Sequence, residues 1–87
     1  MNEFTFTAKG FEDYRYWQNQ DRKTLKKIND LIEDIKRNGT MKGIGKPEPL
    51  RYRPGYSRRI DDKNRLVYDI DELENIRIIS CKGHYED

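Results

Sequence analysis

The sequence has little that would support a covalent or membrane-bound design. It holds one cysteine, Cys81, in 87 residues. No disulfide can close within the chain, and a reducing compartment fits. It holds one histidine, His84. A lone His and a lone Cys cannot build a structural zinc site, and no Asp or Glu cluster has metal-ligand spacing. Neither a metal nor a cofactor is therefore expected. No apolar run reaches membrane length and the first residues lack a signal-peptide core, so a cytoplasmic protein without membrane contact is expected. Apolar residues are scarce, 33% against 39% charged. In a chain this short that means a thin core and modest stability, which a binding partner would raise. Such polarity borders on disorder, but six Tyr, three Phe and one Trp argue for a folded domain. One domain covering residues 1–87 is expected.

What the sequence does have is unevenly placed charge. Residues 42–65 carry eight Lys or Arg against three acids, a local +5, while residues 1–41 come to +1 and residues 66–87 to −4. One central segment holds the positive field. That points to a local polyanion site rather than a general nucleic-acid coat, with chance clustering on a solvated surface as the plain alternative.

Within this segment Tyr56 to Ile70 reads as two strands joined by the polar turn Asp61 to Asn64. Leu66, Tyr68 and Ile70 alternate with Arg65, Val67 and Asp69, the period of a strand with two unlike faces. If Ile60 pairs with Leu66 on the apolar face, Arg59 and Arg65 fall together on the other. Two guanidinium groups held close on a rigid sheet call for an anion between them, and their forked donors match a phosphate.

The rest of the chain supplies the frame. Glu3 to Thr7 alternates as a strand, and Thr7 can cap a helix. In that helix Phe11, Tyr14 and Trp17 lie three apart, with Tyr16 beside them, and Glu12, Asp13 and Arg15 face out. Gly10 weakens its first turns by roughly 1 kcal/mol relative to Ala. Asp21 caps a second helix over about 22–38, where Leu25, Ile28, Leu31, Ile32 and Ile35 form an apolar stripe. Lys36 and Arg37 suit its C-terminal end, and Gly39 stops it. Residues 39–47 form a loop; its Gly-Ile-Gly-Lys piece lacks the spacing of a nucleotide-binding loop. Strands follow at 48–53, in the central hairpin and at 76–81, with Pro49 confining the first of them to an edge. Helices followed by a meander predict an α+β domain: two N-terminal helices packed on one face of an antiparallel sheet, the other face open.

Arg59 and Arg65 point to that open face, Glu48 opens the first strand after the loop, and His84 and Tyr85 follow the last strand, with Gly83 allowing a bend. These residues are the ingredients of RNA phosphodiester cleavage without a metal: a base for the 2′-hydroxyl, an acid for the leaving 5′-oxygen, and cations for the transition state. Glu48 and His84 supply the acid and base, and an unperturbed imidazole titrates near neutrality. Tyr85 could stack on a base. Each has a plainer reading. Glu48 could partner Arg51, the arginines could pair with Asp61, Asp62 or Asp69, and Tyr85 could pack on the core. His84 could be an ordinary surface residue, and Cys81 suits a small buried apolar position better than a nucleophile. On composition and periodicity alone the reading stops at a basic-faced α+β domain.

Specific motifs go further. Tyr14-Arg15-Tyr16-Trp17-Gln18, Lys26 to Ile32, Gly45-Lys46-Pro47-Glu48-Pro49-Leu50, Ser57-Arg58-Arg59-Ile60, Arg65-Leu66-Val67-Tyr68 and His84-Tyr85 together resemble the YoeB/Txe toxins, collinearly over nearly the whole chain. The resemblance implies a RelE-like fold, similar to small microbial ribonucleases. It implies the toxin of a type II toxin–antitoxin module, an mRNA interferase that cleaves mRNA in the ribosomal A site and halts translation. It implies neutralisation by a YefM-type antitoxin, operator DNA bound only through the antitoxin complex, and a homodimer, for which Tyr16 or Trp17 would offer a surface. Carried over by motif, Glu48 is the general base, Arg65 the transition-state cation, Arg59 a phosphate contact, His84 the general acid and Tyr85 the aromatic that positions RNA. Lys46, Arg51 and Arg58 are implied as further phosphate or ribosome contacts. The roles of Glu48 and His84 could be exchanged, since coupled groups give one pH profile either way.

The chain departs from the family pattern in three places: Tyr56 stands where a Trp is common, the turn before it is short, and Glu86 and Asp87 follow Tyr85. Two acids beside an RNA site are expected to weaken phosphate binding. The alternative function is a non-cleaving ribosome- or RNA-binding module that blocks translation.

Overall fold

Both helices form where their caps place them. A computed structural model, which describes residues 3–84, contains β1 (Phe4–Phe6), α1 (Ala8–Gln20), α2 (Arg22–Asn38), β2 (Glu48–Pro49), β3 (Tyr56–Arg59), β4 (Arg65–Ile70) and β5 (Ile76–Ser80). The Thr7 side chain accepts the Gly10 N–H to start α1. The Asp21 carboxylate accepts the N–H groups of Lys23 and Thr24 at 3.0 and 3.3 Å to start α2. Gly39 ends α2 at φ 95, a conformation that an L side chain seldom adopts.

The five strands lie in the order β1-β5-β4-β3-β2. The meander from β2 to β5 is antiparallel. The sheet is mixed rather than wholly antiparallel, because β1 runs parallel to β5 with Phe4 opposite Ile76. β1 takes the outer edge of β5, on the opposite side of the sheet from β2. The long path through both helices supplies the crossover that a parallel pair needs. The strand expected over 48–53 stops after Pro49. Leu50 N–H turns back to the Gly55 carbonyl at 2.9 Å instead, and proline offers the ladder no donor.

The stripe of α2, Ile28, Leu31, Ile32 and Ile35, is buried. It packs with Trp17, Ile60, Leu66, Tyr68, Ile76, Ile78 and Cys81 into one core on the helix-covered face of the sheet. At about 25 cal/mol per Å² of apolar surface, this burial is the main stabilising term.

The first helix differs from the expected pattern in a way that matters for the site. Phe11 is half exposed, at 50%, while Asp13 is buried. The N–H of Cys81 emerges past the end of β5 and needs an acceptor. The Asp13 carboxylate provides it at 3.0 Å and takes Lys9 Nζ at 2.6 Å on its other oxygen. Trp17 Nε1 donates to the Cys81 carbonyl at 2.8 Å. Trp17 is thus buried and committed within the chain, while Tyr16 stays 41% exposed. Gly10 allows this close seating, since a Cβ there would stand 2.3 Å from the Ile78 carbonyl oxygen. No helix among the described residues is long and apolar enough to cross a membrane.

Candidate active site

The hairpin of β3 and β4 decides which arginines reach the open face. Arg59 lies directly opposite Arg65, and Arg58 opposite Leu66. The expected pairing of Ile60 with Leu66 is off by two residues, since Leu66 faces Arg58; Ile60 instead donates to the Asn64 carbonyl at 3.0 Å. Parity survives this shift, so Arg59 and Arg65 share the open face.

Parity also sends Arg58 the other way, which corrects its assignment as a phosphate or RNA contact. Arg58 is fully buried, and all five of its N–H donors are used. Nε donates to Tyr68 Oη at 2.9 Å, and NH1 to Asp34 Oδ2 at 2.5 Å and to the Ile44 carbonyl at 2.9 Å. NH2 donates to the carbonyls of Gly39 and Lys42 at 2.8 and 2.7 Å. The Tyr68 hydroxyl in turn donates to the Thr40 carbonyl at 2.6 Å. Arg58 therefore holds the loop that precedes Glu48, and no face of it is left for RNA. Desolvation pushes the Asp34 carboxyl up, but hydrogen bonds from Arg58, Ile44 N–H and Asn38 outweigh it and hold the group below the usual carboxylate range. Burial pushes the Tyr68 hydroxyl up despite Arg58.

On the open face Arg65 is the centre. Its Nε and NH2 donate to Ser57 Oγ at 3.1 and 2.9 Å. NH2 also reaches Glu48 Oε1 at 3.4 Å. Glu48 stands opposite Ser57 in the ladder, at the first position of β2, and its side chain is 62% exposed. Arg65 is only partly exposed, so its guanidinium is set rather than free. Sequence reading missed Ser57, although the alternation that put Arg59 on this face puts Ser57 there too. Arg59 pairs with Asp62 across an exposed contact. Such a pair is worth about 0–1 kcal/mol, little enough for a phosphate to displace it.

The backbone brings the C-terminal end to the same place. Arg65 N–H donates to the Gly83 carbonyl at 3.1 Å, and Gly83 N–H donates to Asn64 Oδ1 at 2.7 Å. Exposed His84 follows directly. Lys46 is exposed and held in the left-handed region at φ 51, next to Gly45, whose carbonyl accepts the Arg59 N–H at 2.7 Å. Lys27, Gly45, Lys46, Arg59 and Ile60 line an open depression of about 320 Å³. Arg51 is exposed in the turn after β2, away from the ladder itself. Tyr85 lies outside the described residues, as do Glu86 and Asp87. Cys81 is no nucleophile, because burial pushes its thiol up to about 12. Among the described residues no group of His, Cys, Asp or Glu gathers as for a metal ion.

The arrangement offers a carboxylate, two arginines on one rigid face and an imidazole-bearing segment tied to one of them. A family described as the YoeB-like toxin of bacterial type II toxin–antitoxin systems matches residues 6–85. A toxin YoeB of Streptomyces coelicolor is 51% identical over 83 residues, covering 93% of this chain and 96% of that protein. The heterotetrameric YoeB–YefM toxin–antitoxin complex of Staphylococcus aureus contains a chain that superposes with a TM-score of 0.87 at 50% identity, covering 95% of this chain and 97% of that one. The YoeB dimer of the same organism gives 0.87 at 52% identity, with the same coverage. The chain therefore belongs to the YoeB-like toxins of bacterial type II toxin–antitoxin systems.

Proposed function

We propose that the chain is a ribosome-dependent endoribonuclease that cuts mRNA in the ribosomal A site and so stops translation. The observation that carries this reading is the double engagement of Arg65. Its guanidinium meets Glu48, and its backbone N–H meets the carbonyl of the residue before His84. One residue thus ties the carboxylate to the imidazole segment, with Arg59 directly across the ladder.

In this mechanism Glu48 takes the proton of a 2′-hydroxyl and the oxygen attacks the adjacent phosphorus. The bond from phosphorus to the 5′-oxygen breaks, and His84 protonates that oxygen. The products are a 2′,3′-cyclic phosphate and a 5′-hydroxyl. Arg65 and Arg59 stabilise the charge that builds on the phosphoryl oxygens, and Ser57 fixes Arg65 in advance. Tyr85 positions the RNA, and Lys46 and Arg51 contact its backbone or the ribosome. General acid–base catalysis of this kind supplies about 10²–10⁴-fold. No step calls on a metal.

The Staphylococcus aureus relative forms a heterotetramer with YefM. We infer that this chain likewise binds a YefM-type antitoxin in the cytoplasm, meets operator DNA through that complex, and self-associates.

The test is primer extension on one mRNA with purified protein, with and without ribosomes, and with EDTA in the ribosome-free arm. New 5′ ends only with ribosomes, at the A-site codon, are expected. Cleavage without ribosomes would make the protein a free ribonuclease. Arrest of translation without cleavage, or full growth arrest by His84→Ala, would overturn the enzyme reading in favour of a binding module.

A further inference from the structure

The turn between β3 and β4 is built around Asp61. Its Oδ1 accepts the N–H groups of Lys63 and Asn64 at 2.8 Å each. Both its carboxylate oxygens accept from Asn64 Nδ2, at 3.0 and 3.2 Å. These bonds fix the orientation of the Asn64 amide. With Nδ2 committed to Asp61, Oδ1 is aimed away from the turn, where it accepts the Gly83 N–H at 2.7 Å. The next residue, Arg65, donates its own N–H to the Gly83 carbonyl at 3.1 Å. Gly83 is thus gripped on its N–H by a side chain and on its carbonyl by a backbone.

The grip sits at a sensitive place. Cys81 is already fixed on both sides by Asp13 and Trp17. Beyond it, Gly83 is held at φ 79, in the left-handed region, and His84 comes next. A chain end tethered at Cys81 alone would leave His84 free to sweep over a range of positions. A second fixed point two residues later removes most of that freedom. Reaction geometry is unforgiving, and a misplacement of about 1 Å costs on the order of 100-fold in rate. Among the described residues Oδ1 of Asn64 accepts only the Gly83 N–H, and the turn itself is already closed by Asp61 and the backbone bonds from Ile60 and Asp61 to the Asn64 carbonyl.

We infer that Asn64 is a positioning residue for cleavage: its amide oxygen sets Gly83, and through it His84, against Arg65. The inference rests on the reading in which His84 acts in cleavage. Asn64 itself touches no reacting atom.

The experiment is a double-mutant cycle on ribosome-programmed mRNA under single-turnover conditions, using the full chain. The proteins are wild type, Asn64→Ala, His84→Ala and the double variant, with thermal melting recorded for each. Asn64→Ala is expected to lower the cleavage rate constant about 10–100-fold, with the half-saturating ribosome concentration within about twofold of wild type. In the His84→Ala background the same substitution is expected to cost less than about twofold, because there is no imidazole left to misplace. Amide hydrogen exchange at Gly83 is expected to quicken in Asn64→Ala. Asn64→Asp keeps an oxygen opposite the Gly83 N–H but loses the bonds to Asp61. It is expected to keep more activity than Asn64→Ala, whereas a residue needed only for the turn would rank the two the other way. That ranking, read with Gly83 exchange, decides the matter even if Asn64→Ala folds poorly. Full-rate cleavage by Asn64→Ala beside an inactive His84→Ala would overturn the inference and leave the role of His84 standing. Equal losses in both backgrounds would also overturn it. Full-rate cleavage by His84→Ala would overturn the reading beneath it.

Discussion

Arg58 and Arg59 are neighbours in β3, and the sheet sends them to opposite fates: Arg58 is sealed against Asp34 and three loop carbonyls, while Arg59 faces Arg65 on the open side. The inward arginine holds the loop that precedes Glu48, and the outward one lies opposite Arg65 on the open face. Two identical side chains thus support the same site by different physics.

The inward pair sets the first expectation. Asp34→Ala leaves Arg58 buried with an unmatched charge, and breaking a buried pair from one side costs roughly 3–5 kcal/mol. Small domains hold only about 5–15 kcal/mol in total. Urea denaturation should therefore show a much earlier midpoint, and an unchanged midpoint would refute the clamp. Arg58→Lys should fail to rescue, because one ammonium cannot replace five forked donors.

Acid should reach the same contact. Desolvation pushes the Asp34 carboxyl up, but its hydrogen bonds hold it below its ordinary value. A group lowered in the folded state adds stability that is complete above its unfolded pKa, about 3.9, and is lost as pH falls through the folded value. Stability should be flat in this contribution from pH 7 to about 5 and fall below pH 4. Urea titrations of Asp34→Ala should show a shallower fall over the same range. The carboxyls of Asp61 and Asp71, held down by turn N–H groups against desolvation, add to the wild-type slope.

Ser57 Oγ accepts two bonds from the Arg65 guanidinium. Hydrogen bonds to a charged group are worth about 1.5–3 kcal/mol. Ser57→Ala should slow cleavage by about 10–100-fold in primer extension, and, because the same bonds are lost from the fold, lower the melting temperature by about 5–20 °C. Wild-type cleavage by this variant would mean that Arg65 needs no such support.

Gly10 presents a conflict between local and tertiary preference. Alanine would favour the helix by roughly 1 kcal/mol. Its Cβ would meet the Ile78 carbonyl at 2.3 Å, and overpacking of this kind costs about 1–3 kcal/mol. Gly10→Ala should lower the melting temperature; a rise would show that α1 can lift from β5 without loss.

Glu86 and Asp87 add negative charge just after Tyr85. Deleting both should leave cleavage equal or faster, because like charge opposes phosphate binding. A large loss on deletion would sink that reading.

The sequence by itself determined the features that depend on near neighbours. Caps at Thr7 and Asp21, the stripe of α2 and the stop at Gly39 are local, so spacing alone located both helices. Two-residue alternation placed Arg59 and Arg65 on one face even with the pairing misassigned, since a shift that conserves parity conserves faces. Arg58 reads from the sequence as a phosphate contact because the partners that bury it lie 10 to 24 residues away. Asp13 reads as a solvent-facing acid because the N–H that it meets in the core belongs to Cys81, 68 residues on. Only the tertiary structure decided these two, together with the parallel seat of β1 and the grip of Asn64 on Gly83. A charge enters a core only when donors or acceptors from distant segments converge on it, and no stretch of neighbouring residues records that convergence.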